Sequence, residues 1–107
     1  MKHKSLIPTE YYVGGQRMEV VVVERCPDNN FGNCFVGTGR IEIADIVNMD
    51  DRQSYTSKRN TFFHELTHSI LDTMGRGDLS KDENFVSCFA GFLTEAMSTA
   101  EYEEDIQ

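Results

Sequence analysis

Along the chain, apolar residues first recur at alternate positions and later at intervals of three and four. Alternation marks strands, and the longer interval marks helices. Glu10 to Val13, the pair Gly14-Gly15 and Arg17 to Glu24 fit a β-hairpin, because Gly-Gly supplies the positive φ of a tight primed turn. Val20-Val21-Val22-Val23 is continuous and β-branched, which predicts a central strand covered on both faces. Cys26 to Asn33 is rich in turn residues and predicts a loop. Cys34-Phe35-Val36 and Arg40-Ile41-Glu42-Ile43, on either side of Gly37-Thr38-Gly39, predict a second hairpin whose later strand has one wet face.

Asp45 to Tyr55 is polar and ambiguous, and beyond it the period changes. Phe62, Phe63, Leu66, Ile70 and Met74 build an apolar helical face, with Ser54 or Ser57 as cap and Gly75 and Gly77 as the stop. Asp78 to Lys81 is a short connection. A last helix is predicted from Lys81 to beyond Met97, with a stripe of Val86, Phe89, Ala90, Leu93 and Met97 widened by Phe85, Phe92 and Ala96. Strands first and helices after is an α+β layout: a small antiparallel sheet of roughly three or four strands with helices packed on one face.

A length of 107 residues suits a single domain, with residues 1–8 as an N-terminal arm and 98–107 as an acidic tail. No apolar run reaches membrane-spanning length, and the N-terminal residues lack the apolar core of a secretory signal, so the expectation is a cytoplasmic protein with no membrane partner. The cysteines, Cys26, Cys34 and Cys88, are odd in number, which speaks against a disulfide framework and suits a reducing compartment. Cys26 and Cys34 lack the paired spacing of a zinc ribbon, and Cys88 reads as core. Net charge is −8 and uneven: all the basic residues precede position 82, whereas Asp82, Glu83, Glu95, Glu101, Glu103, Glu104 and Asp105 follow with none. Such a balance repels phosphate backbones and disfavours nucleic acid, and the run from Glu101 to Asp105 reads as a solvated end.

The chemistry is concentrated in His64-Glu65-Leu66-Thr67-His68. On a helix, His64 and His68 project from one face a turn apart, so two imidazoles can hold one zinc ion. Glu65 is rotated about 100° from His64 and lies beside that ion, where a carboxylate can serve as base to a water. A catalytic zinc needs a third protein ligand. His3 is the remaining histidine, near the N-terminus, so the third ligand is sought among carboxylates. Glu83 lies at the start of the returning helix, at the margin of its apolar face. Its competing role is in a capping box, Ser80-x-x-Glu83. Asp82 points into the apolar face but also suits the helix dipole. Asp72, about 12 Å along the axis from His64, is too far along to reach the metal; it suits a solvated carboxylate slightly better than an acceptor of a hydrogen bond from His68.

Phe63 to Leu71 followed by Asp82-Glu83-Asn84-Phe85-Val86 resembles the small phage-encoded zinc metallopeptidases of the gluzincin type, and is similar to the ImmA/IrrE-like peptidases. In that group a Glu-x-x-Ala-x-x-Phe-Ala-x-x-Leu helix follows the motif and its Glu completes the zinc site. Here Glu83-x-x-Val86-x-x-Phe89-Ala90-x-x-Leu93 has the same spacing with Val in place of the first Ala. The strand Gly39 to Ile43 also looks like the one preceding the motif there. The resemblance spans residues 36–95 and implies a minimal zincin-like fold, Zn²⁺ held by His64, His68 and Glu83, and Glu65 as the base. Proteins of the ImmA/IrrE type often carry a DNA-binding or regulatory domain that has no counterpart here, so a repressor-cleaving role is not carried over.

The expected function is zinc-dependent hydrolysis of peptide bonds, with the substrate extended along the Arg40–Ile43 strand if that strand is a sheet edge. Tyr55, Arg59 and Tyr102 are candidate donors to the oxyanion, though each fits an ordinary surface or packing role better. The alternative is a zinc-binding regulatory or interaction protein with a zincin fold and no useful turnover.

Overall fold

The primed turn forms as the Gly-Gly pair requires. Strand β1 (Glu10–Val13) turns through Gly14 and Gly15, both at positive φ, into the antiparallel strand β2 (Gln16–Val23). The computed structural model describes residues 5–103. The outer parts of the expected arm and tail, residues 1–4 with His3 and residues 104–107, lie outside the described residues. Leu6 and Ile7 of the arm pack against the main core, and Tyr55 Oη accepts a hydrogen bond from the Leu6 amide.

Strands β3 (Gly32–Phe35) and β4 (Arg40–Ala44) form the second hairpin, joined by a 3₁₀ turn at Val36–Thr38 that ends on left-handed Gly39. The sheet order is β1-β2-β4-β3. The expectation of an antiparallel sheet is corrected here: β4 lies parallel to β2, Glu19 opposite Arg40 and Val23 opposite Ala44, so the sheet is mixed. The segment after β2 crosses to the far edge before β3 begins, and β4 then enters the gap between them. It follows that Arg40–Ile43 is no edge. The open edge on that side is β3.

One face of the sheet takes the helices. Met18, Val20, Ile41 and Ile43 pack there against Phe62 and Phe63. On the opposite face Arg40 pairs with Glu19 and Glu42, and none of the described helices packs there. The four-valine run is central but not covered on both faces, and Val22 is half exposed. The ambiguous stretch makes a small ladder of β5 (Ile46–Val47) and β6 (Asp51–Arg52). It ends at buried Gln53, whose Nε2 donates to the carbonyls of Phe31 and Ala44. Its Oε1 accepts from the hydroxyls of Ser57 and Thr61. This one side chain ties the head of β3 and the end of β4 to the first helix.

That helix, α1 (Tyr55–Thr73), is capped by Ser54, whose hydroxyl accepts from the Ser57 amide. At its end Gly75 is left-handed, its N–H bonds the Asp72 carbonyl and the Arg76 N–H bonds the Leu71 carbonyl. These are the two bonds of a Schellman stop. The connection folds into a single helical turn, α2 (Gly77–Ser80), and the chain returns as α3 (Glu83–Thr99). Helix α3 rests chiefly on α1 rather than on the sheet, through Val86, Ala90 and Thr94. With a single neighbour it needs only a narrow apolar stripe. Phe89 and Phe92 of the expected stripe therefore stand half or more exposed, and Cys88 is exposed instead of buried. All three thiols are free. Among the described residues no helix is long and apolar enough to cross a membrane.

Candidate metal centre

The turn α2 swings the start of α3 back over the middle of α1, and Glu83 is the first residue of that helix. Its carboxylate lies 3.2 Å from His64 Nε2 and 3.5 Å from His68 Nε2. One donor atom from each of the three residues falls within 4.8 Å of the others. The capping role goes to Asp82, which accepts a hydrogen bond from the Phe85 amide at 3.1 Å. Asp82 is thereby turned away from the histidines and Glu83 is left free to face them.

Ser80 does not cap α3. Its Oγ lies 2.9 Å from His68 Nδ1, so it anchors the side of the ring opposite Glu83. This is the partner role for which Asp72 had been the candidate. Asp72 borders the cleft but makes no hydrogen bond to His68 among the described residues. Sequence spacing offered no means of telling Ser80 from an ordinary cap, because its role depends on how α2 coils. When His68 Nδ1–H donates to Ser80, Nε2 turns its lone pair toward the Glu83 carboxylate. Burial lowers the His68 pKa, with the Glu83 charge acting in the opposite direction, so the ring favours the neutral form that a ligand needs.

Do these donors fit a zinc ion? Bonds of about 2.0–2.2 Å at tetrahedral angles separate donors by about 3.3–3.5 Å, and the two carboxylate oxygens of Glu83 lie 3.2 and 3.5 Å from the two histidine nitrogens, close to that spacing. Two imidazole nitrogens with one carboxylate form a recognised three-donor set for zinc. A second carboxylate, Glu65, lies close by, so negative charge gathers where a cation would sit. The donor set fits.

Glu65 is buried on the sheet side of the motif, against β3. Burial pushes its carboxyl up to about 7, and the charge on Glu83 adds to the rise. Gly32 makes its position tenable. A Cβ there would stand 2.5 Å from Thr61 Cγ2 and 3.2 Å from Glu65 Cγ. Gly32 falls in the stretch Cys26 to Asn33 that the turn residues mark as loop, whereas it begins strand β3. The signal was there, a glycine just before a predicted strand, but its use depends on how closely α1 approaches.

Glu65, both histidines and Glu83 line one open cleft of about 710 Å³, with residues 30–34 of the β3 segment along its other side. The Ala44 amide donates to the Phe31 carbonyl. Antiparallel alternation then turns the N–H and C=O of Gly32 and Cys34 away from β4, toward the open edge. A strand-like ligand has backbone partners there, beside the histidines. Of the candidate oxyanion donors, Tyr55 is at the head of α1 holding Leu6, and Tyr102 is largely exposed beyond α3. Neither lines the cleft. Arg59 borders a separate groove on the far side of His64.

The fold and centre together define an α+β protein with a two-histidine, one-carboxylate donor set and a buried carboxylate beside it. Comparison with protein-family models, with characterised proteins and with solved structures finds no match in any of the three.

Proposed function

We propose that this chain is a zinc-dependent metallopeptidase of the gluzincin kind, with His64, His68 and Glu83 as the zinc ligands and Glu65 as the general base. The observation that carries the reading is the convergence of these four side chains next to an open strand edge. Zinc bound there would polarise a carbonyl oxygen and make a water acidic. Glu65 is placed to accept a proton from a water at the centre and would deliver it to the departing amine nitrogen. Its place in a protein wall beside the donors limits competition from bulk water. The backbone of Gly32 and Cys34 holds an extended peptide in register by strand addition, so that the scissile bond lies over Glu65. Ser80 keeps the His68 ring oriented. The free thiols suit a cytoplasmic place of action, and the resembling peptidases suggest a phage gene acting in a bacterial host.

The test has two readings. Protein purified without chelators should contain close to one equivalent of zinc, and His68→Ala should lose it. No zinc, and no uptake on titration, would end the metal hypothesis. Wild type should cleave extended peptides, and Glu65→Gln should abolish cleavage with zinc retained. Zinc-loaded wild type and Glu65→Gln that behave alike on peptides and in cells would identify the protein as a zinc-binding regulator instead.

A further inference from the structure

A second groove, about 560 Å³ in volume, runs between α1 and α3 on the side of His64 away from β3. Apart from Glu95, the α3 residues that line it are small, among them Ala90, Gly91 and Thr94. Its α1 wall carries Arg59. The Nε of Arg59 is buried and has no hydrogen-bond partner, alone in this among the buried side-chain nitrogens and oxygens of the described residues. No ion pair among the described residues involves Arg59, although Glu95 borders the same groove.

The Nε is shut off from the groove, but no guanidinium nitrogen of Arg59 has a hydrogen-bond or ion-pair partner among the described residues, and the two terminal nitrogens form a planar pair of donors that matches a carboxylate in two parallel hydrogen bonds. Arg59 precedes His64 by five residues, about 7.5 Å along the helix axis. An extended peptide advances about 3.3 Å per residue, so this groove is one to about three residues from a scissile bond at the metal centre. We propose that the groove is a carboxylate subsite anchored by Arg59, receiving an acidic side chain or the C-terminal carboxylate of a peptide bound at the neighbouring centre. The assignment rests on the peptidase reading. The overall charge of −8 works against an acidic ligand at long range, so recognition depends on this local contact. The competing occupant is a basic side chain held by Glu95.

Binding can be measured apart from turnover in zinc-loaded Glu65→Gln. The probes are alanine-based hexapeptides carrying Glu, Gln or Lys at one position, each with a free or an amidated C-terminus, titrated by calorimetry. Peptides with a carboxylate in the groove should bind about 10- to 100-fold tighter than their neutral counterparts. Adding Arg59→Leu should remove that difference while leaving neutral peptides unchanged, and Arg59→Lys should restore part of it. Dependence on the Glu side chain identifies an internal acidic residue, and dependence on the free terminus identifies a chain end; either supports the subsite. Equal binding of all peptides, no binding of any, an equal loss for acidic and neutral peptides in Arg59→Leu, or a Lys preference abolished by Glu95→Gln would overturn it. The two readings separate cleanly. Selective carboxylate binding by a zinc-loaded wild type that cleaves nothing leaves the subsite and ends the peptidase, whereas cleavage without discrimination does the reverse.

Discussion

Helices α1 and α3 lie against each other and distribute polarity in opposite ways. Helix α1 buries Thr61, Glu65, Thr67 and Ser69, whereas α3 exposes Phe89 and Phe92. The difference follows from position. Helix α1 is enclosed by the sheet on one side and α3 on another, so even its polar side chains leave water. Helix α3 has α1 as its main support and only a narrow face to hide. Within α1, Thr61 bonds Gln53, Thr67 bonds the Phe63 carbonyl and Ser69 bonds Leu66 and Tyr11, but Glu65 has no hydrogen-bond partner among the described residues. A largely buried carboxylate whose oxygens face only the cleft and make no hydrogen bond within the protein costs stability, as is common for groups at functional sites. The apolar side chains on the outside of α3 cost far less.

The largest expected break in this contrast comes from paired truncations. Phe62→Ala, in the shared core edge-to-face with Tyr11 and Phe63, should cost about 3–5 kcal/mol in denaturant unfolding. Phe92→Ala on exposed α3 should stay within about 0.5 kcal/mol. Equal effects would mean that α3 is buried in solution.

Next comes Glu65→Gln in metal-free protein. The folded carboxyl titrates at about 7 and its ordinary value is 4.5, so the folded state binds the proton more tightly than the unfolded chain does. The penalty is therefore fully present above pH 7 and fades on acidification toward 4.5. The substitution should stabilise the chelated protein by up to about 3 kcal/mol at pH 8, and the gain should vanish near pH 4.5. A gain independent of pH would show that charge burial is not its source.

Ser80→Ala should weaken zinc binding about 10- to 100-fold, measured by competition with a chelator, because His68 loses the partner that orients it. Smallest of all, Asp82→Ala should remove only the α3 cap, costing about 1 kcal/mol with zinc affinity unchanged. A large loss of zinc affinity in Asp82→Ala would reopen the choice between the two neighbouring carboxylates.

Much of this arrangement is legible in local pattern. The spacing of His64, Glu65 and His68, the Gly14-Gly15 turn and the Gly75 stop are each written in a few adjacent residues, and the helix and hairpin they predict are where the structure has them. What escapes is long-range. No local feature of Arg40–Ile43 says that it will enter between two strands formed earlier in the chain, so whether it lies at an edge is not legible in its sequence. Gln53 reads as a loop residue until four partners from three segments surround it. Ser80 and Gly32 acquire their roles only through the coiling of α2 and the approach of α1. The stripe on α3 is wider than the face it buries for a related reason, since period reveals which residues share a face but not how much of that face finds a neighbour.

The open edge of β3 has one more consequence, for the behaviour of many copies together. Unpaired N–H and C=O groups that can receive a peptide can equally receive the same strand of another molecule, which is the first step toward edge-to-edge aggregation. The strand limits that hazard by its four-residue length, with a glycine at one end and a 3₁₀ turn at the other. The charge of −8 adds a longer-ranged guard, keeping like molecules apart in dilute salt. That guard shortens to about 3 Å in molar salt. Colloidal stability in this protein is thus tied to ionic strength through the same edge that lines its cleft.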